Sequence, residues 1–207
     1  MPPGVNSDGQ TCLWMAAFNG KVGQVRSLLA PSGGRALVNL RCNEGMSPLF
    51  VASRNGHLDT VRVLLSAGAK VDRQTNSGHS PLYIACQQGH AVVARALLSA
   101  GAKVDQQCED GSSPLHIACQ EGHNEVVRAL LSAGAKVDLQ YKDGASALCI
   151  ASKLGRSKVV RALLSAGAKV NQQAVGGLSP LHTACHHGHM DAVRALLSAG
   201  AMAMPCT

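Results

Sequence analysis

Aromatic residues are nearly absent from this chain: one Trp, two Tyr and two Phe in 207 residues. That scarcity removes the stacking platforms on which single-stranded nucleic acids are bound and leaves a core of Leu, Val and Ala. No run of about 18 apolar residues occurs, which excludes a hydropathy-type membrane span. The opening Met1-Pro2-Pro3-Gly4 has neither a basic region nor an apolar stretch, so no secretory signal is expected. Also missing, outside a recurring pattern, are a nucleophile–base pair, a glycine-rich phosphate loop and paired carboxylates. No catalysis and no cofactor are expected.

What the chain has is repetition. Arg-Ala-Leu-Leu-Ser-Ala-Gly-Ala starts at Arg95, Arg128, Arg161 and Arg194, at intervals of 33 residues, and a one-change copy starts at Arg62. A fixed period of this length marks an array whose units bury their apolar faces against neighbours. A second string precedes each copy: Ser47-Pro48-Leu49-Phe50, Ser80-Pro81-Leu82-Tyr83, Ser113-Pro114-Leu115-His116, Ser146-Ala147-Leu148-Cys149 and Ser179-Pro180-Leu181-His182, with Thr11-Cys12-Leu13-Trp14 as a degenerate first copy.

These strings resemble the ankyrin repeat, whose signature is Thr-Pro-Leu-His-x-Ala on a 33-residue period. The resemblance covers residues 6–202 as six copies. It implies one all-α repeat solenoid over 1–207, a stack of helix pairs with short β-hairpin or turn fingers. The repeats are expected at approximately 6–41, 42–74, 75–107, 108–140, 141–173 and 174–207.

One unit shows the physics. Asp110-Gly111 reads as a turn. Ser113-Pro114 starts a short helix, the serine capping and the proline lacking a donor that would be orphaned. Leu115, Ala118 and Cys119 share a face, and Gly122 suits the left-handed end. A second helix begins near Asn124, with Val126, Val127, Leu130 and Leu131 as one apolar face and Gly134 as its stop. Twelve such helices, each marginal alone, are expected. Repeat one is three residues longer: Gly9 to Gly45 is 36 residues, and Pro31, Ser32, Gly33 and Gly34 have loop composition.

The eight cysteines follow the repeat. Cys86, Cys119 and Cys185 sit where other copies carry Ala17, Ser53 and Ser152, so cysteine is expected there as a small buried residue. Helix pairs stacked about 10 Å apart are beyond disulfide reach; reduced thiols then place the chain in the cytoplasm or nucleus. His57, His90, His123 and His189 each follow the inter-helix glycine, and His116 and His182 match the family's signature histidine, expected to brace the turn. His182 and His186 are four apart, a spacing that suits a metal pair, but the repeat already explains His182, Cys185 and His189. No metal site is expected.

The net charge is +7, with an arginine ladder (Arg26, Arg62, Arg95, Arg128, Arg161, Arg194) and a lysine ladder (Lys70, Lys103, Lys136, Lys169). As solvated faces, the lysines are screened by Asp72, Asp105 and Asp138 two residues on. The alternative is electrostatic binding of nucleic acid or another anionic surface.

Against nearly fixed copies, variation gathers in two places. One is the end of the first helix: Phe18-Asn19, Arg54-Asn55, Gln87-Gln88, Gln120-Glu121, Lys153-Leu154 and His186-His187. The other is the turn tip: Asn43, Glu44 and Met46; Asn76, Ser77 and His79; Glu109, Asp110 and Ser112; Lys142, Asp143 and Ala145; Val175, Gly176 and Leu178. The resemblance implies that these map to a concave groove and fingertips where a protein partner binds; drift on a tolerant surface would vary in the same way. The family implies a protein-binding scaffold or adaptor, with no small-molecule substrate. The last repeat keeps an apolar outer helix, Ala192, Val193, Leu196 and Leu197, with no polar cap. Continuation of the array, self-association or a partner would cover it.

Overall fold

The computed structural model describes residues 6–30 and 34–202, with the side chains of residues 34 and 35 left aside. The chain divides into two compact units, Met1–Gln106 and Gln107–Thr207. The division falls where the sequence period separates the third repeat from the fourth.

The first unit holds α1 (Cys12–Phe18), α2 (Val22–Leu29), α3 (Gly34–Leu37), α4 (Pro48–Arg54), α5 (Leu58–Ser66), α6 (Pro81–Gln87) and α7 (Ala91–Ser99). First helices pack in the order α1, α4, α6, and second helices in the order α2, α5, α7. The second unit holds α8 (Pro114–Glu121), α9 (Asn124–Ser132), α10 (Ala147–Lys153), α11 (Ser157–Ser165), α12 (Pro180–His186) and α13 (Met190–Ser198). Its packing repeats the scheme: α8, α10, α12 on one side and α9, α11, α13 on the other. Among the described residues there is no strand, only one isolated antiparallel bridge between Gln140 and Ser146. The fingers are therefore turns.

Each first helix starts as its serine or threonine dictates. The side chains of Thr11, Ser47, Ser80, Ser113, Ser146 and Ser179 accept from the backbone N–H three residues on. Such a cap contributes about 0.5–2 kcal/mol. Gly122 closes α8 with φ +80°, a conformation that costs other residues but not glycine. In the turn tips, the Gly45 N–H donates to the Cys42 carbonyl at 2.8 Å with φ +81°. A Cβ there would lie 2.7 Å from the Asn76 backbone nitrogen, so glycine also permits the next tip to approach.

The core is built on one sealed leucine in each of ten helices. Leu13, Leu49 and Leu82, and Leu64 and Leu97, are sealed in the first unit; Leu115, Leu148, Leu130, Leu163 and Leu196 are sealed in the second. Val126, Val127 and Leu130 are fully buried, but Leu131 is only half-buried. The four do not form one equivalent face: a residue one position further is rotated about 100° around a helix of 3.6 residues per turn, which carries Leu131 to the edge.

The twelve expected repeat helices are all present, and Gly34–Leu37 in the longer first repeat, where Gly34 is expected in a loop, adds a helical turn among the described residues; Pro31, Ser32 and Gly33 lie outside the described residues. The first repeat nevertheless rejoins the common frame at Asn39, whose side chain accepts from Lys70 N–H at 2.8 Å and donates to the Gly68 carbonyl at 3.1 Å. Asp72 and Asp138 also act between repeats: their carboxylates accept from the backbone N–H of Lys103 and Lys169, each at 2.9 Å. They tie one repeat to the next.

Cys86 and Cys119 are fully buried, but Cys185 is exposed. Within the second unit α8 packs on α10 of the following repeat, whereas among the described residues no further first helix follows α12. Burial pushes the Cys119 thiol far up, so it stays protonated. Ellman's reagent is expected to modify Cys12 and Cys185 in the native chain and to reach Cys86 and Cys119 only on unfolding, as peptide mapping would show. Native labelling of Cys119 would mean that the fourth repeat opens.

Candidate groove on the first-helix side

Local bonding fixes the ground on which the variable residues stand. The histidine after the inter-helix glycine reaches back one repeat: His57 Nε2–H donates to the Phe18 carbonyl, His90 to Arg54 and His189 to Lys153, each at 3.0 Å. Arg156 replaces it in the fifth repeat, donating from Nε to the Gln120 carbonyl at 3.2 Å. The ends of these first helices are therefore pinned through their backbones while their side chains stay available. His116 braces the turn. Its Nδ1 accepts from Ser113 N–H at 3.2 Å, and its Nε2–H donates to the Leu139 carbonyl at 3.0 Å.

In the second unit a groove of about 920 Å³ opens between first helices and turn tips. It gathers nine of the expected positions, Asp110, Gln120, Lys142, Asp143, Ala145, Lys153, Leu154, Val175 and Leu178. Leu154 is 40% exposed, Leu178 50% and Val175 74%. Tyr141, Cys149, Ile150, Ala174 and Thr183 also line it, and variation at the helix ends and tips did not point to them. The available signal was the signature position itself, where Cys149 stands in place of histidine. The Tyr141 ring packs on His116 with centroids 4.5 Å apart, and its hydroxyl accepts from Ser112 Oγ at 3.0 Å. Burial raises the Tyr141 pKa, opposed by that hydrogen bond. Burial likewise raises the Cys149 thiol, which donates to the Gln172 carbonyl at 3.6 Å. Neither is poised as a nucleophile.

In the first unit Arg54, Glu44, Met46 and His79 meet around a smaller groove of about 190 Å³, with Phe50, Thr75, Ser77 and Ile84. The His79 ring stacks on Tyr83 at 4.7 Å.

Other expected positions are not brought into either groove. Three asparagines are engaged in joining repeats: Asn43 Nδ2 donates to the Ser7 carbonyl at 3.1 Å, Asn76 to Asn43 at 2.8 Å and Asn55 to Phe18 at 2.7 Å. Their side-chain amides hold the scaffold. Gln88 and Glu109 are exposed, and Gln87 is half-buried. Glu121 accepts from Gln120 at 3.1 Å. His187 donates from Nδ1 to the Thr183 carbonyl at 2.8 Å, with the His186 ring edge-on at 4.9 Å.

Comparison with known proteins agrees with this architecture. A family model described as ankyrin repeats (3 copies) matches residues 2–75, 68–141 and 133–204. Over 62 residues the chain is 44% identical to cortactin-binding protein 2 of Mus musculus and of Equus caballus, and 42% identical to that of Dasypus novemcinctus. The match covers 30% of this chain and only 4% of those much longer proteins. No helix among the described residues is long and apolar enough to cross a membrane. With six signature strings in phase, capped helix pairs stacked on a leucine core, and family matches across residues 2–204, the chain belongs to the ankyrin-repeat family, whose repeats are generally protein-interaction modules.

Proposed function

We propose that the chain is a scaffold or adaptor without catalysis of its own, binding a protein partner through the first-helix groove and the turn tips. The observation that carries this reading is the groove of the second unit, where exposed apolar Leu154, Val175 and Leu178 stand among Asp110, Lys142, Asp143 and Lys153. An apolar centre with a polar rim is the usual anatomy of a protein interface. Pinned helix ends leave little to order on binding, which favours affinity. The exposed lysines Lys70, Lys103, Lys136 and Lys169 then act as steering charges toward an acidic partner.

The unbroken 33-residue period through Gln106 and Gln107 supports treating 1–207 as one ankyrin domain. Exposed Cys12 and Cys185 thiols suit a reducing compartment, the cytoplasm or nucleus. The name of the matched relatives makes cortactin one protein to include among the candidates. Affinity capture with the intact chain, compared with a chain altered at Gln120, Lys153 and Leu154, tests the reading. Proteins retained by the first and lost by the second support it; an unchanged set of captured proteins overturns it.

A further inference from the structure

Helix α11 reverses a charge that three of its counterparts carry. At its second position, α5 carries Asp59, α9 Glu125 and α13 Asp191, and α2 and α7 the uncharged Gly23 and Val92, whereas α11 carries Lys158. Asp59 and Glu125 each lie 3.7 Å from the arginine one turn on, Arg62 and Arg128. The corresponding Arg161 faces a lysine instead. A cation in the first turn also opposes the helix dipole, so neither helix formation nor ion pairing accounts for Lys158.

The same residues border a groove. Between α9 and α11, on the second-helix side, an open trough of about 750 Å³ has Arg128, Lys158 and Arg161 around Leu131, Ala162 and Ala166, with Ser132 and Ser165 also lining it. No carboxylate lines it. Glu125 sits nearby, but its pair with Arg128 leaves both side chains 71% exposed. Such a pair contributes little, so Arg128 can turn toward an incoming carboxylate at small cost. A trough between two neighbouring helices receives the ridge of a third.

We propose that this trough is a second docking site, for an acidic amphipathic helix of a protein partner. Leucine-like residues of that helix meet Leu131 and the two alanines, and its carboxylates meet the three cations. The site stands apart from the first-helix groove and does not depend on it.

The test is fluorescence anisotropy with the intact chain and a labelled synthetic peptide carrying Leu and Glu at helical spacing. Lys158→Asp with Arg161→Glu is expected to weaken binding about tenfold. The equal charge change Arg62→Glu with Arg95→Glu is expected to leave it within about twofold. A peptide with Gln for every Glu is expected not to bind. Lys158→Asp alone supplies the residue type that α5 and α13 carry there, so it should fold and weaken binding in the same direction; circular dichroism checks both variants. Equal weakening by the two double variants, or equal binding of the Gln peptide, would overturn the proposal. So would capture of the chain by phosphatidylserine vesicles through Lys158 and Arg161 with no binding of the acidic peptide.

Discussion

Leu130→Ala is expected to destabilise the chain by about 2–5 kcal/mol, the cost of a cavity at a fully sealed leucine. Leu130 is 0% exposed, on the face of α9 that packs on α8 and α11. Leu131→Ala is expected to cost only about 1 kcal/mol, because that side chain is half-buried and lines the second-helix trough. Gln88→Ala, exposed at the end of a first helix, should fall within about 0.5 kcal/mol of neutral. Urea unfolding of the three variants gives the order directly. Equal losses for the two leucines would mean that the trough is closed in solution.

The second large effect concerns binding rather than stability. Leu154→Asp combined with Leu178→Asp is expected to reduce affinity for a captured partner about a hundredfold or more. Apolar side chains at the centre of an interface dominate its energy, and the substitutions bury two carboxylates against apolar partner surface. Both leucines are substantially exposed, so the melting temperature should hardly move. Isothermal titration with the captured partner, alongside thermal melts, checks both halves. Unchanged affinity would remove the apolar centre from the binding surface.

Much of the scaffold could be read from the chain before any coordinates, because each feature is local and repeated. Ser113-Pro114 announces a capped helix, Gly122 its left-handed end, and the 33-residue spacing the stack. Longer-range consequences were less legible. Leu131 differs from Leu130 only by rotation around a helix, which composition does not display. Asp72 and Lys103 are tied across 31 residues, a contact that adjacency in sequence does not display. Cys185 repeats Cys119 in sequence but not in burial, because α10 packs on α8 whereas no first helix after α12 occurs among the described residues. Variation among copies found Lys153, Leu154 and the tips that meet in the groove. It also picked out Asn43, Asn55 and Asn76, whose amides hold neighbouring repeats, and it passed over Tyr141 and Ile150. Variation marks tolerance as well as recognition, and only the hydrogen bonds separate the two.

Binding kinetics at two ionic strengths test the groove most directly. One variant replaces Gln120, Lys142, Lys153 and Leu154 together, all of which line the groove of the second unit; the other replaces Lys70, Lys103, Lys136 and Lys169 with glutamine. With circular dichroism confirming that both are folded, the groove variant is expected to lose binding at either salt concentration. The lysine variant is expected to associate more slowly and to show a flatter salt dependence, with dissociation little changed. Loss of binding in the lysine variant, with the groove variant still binding normally, would contradict the groove and leave electrostatic attraction to an anionic surface in its place.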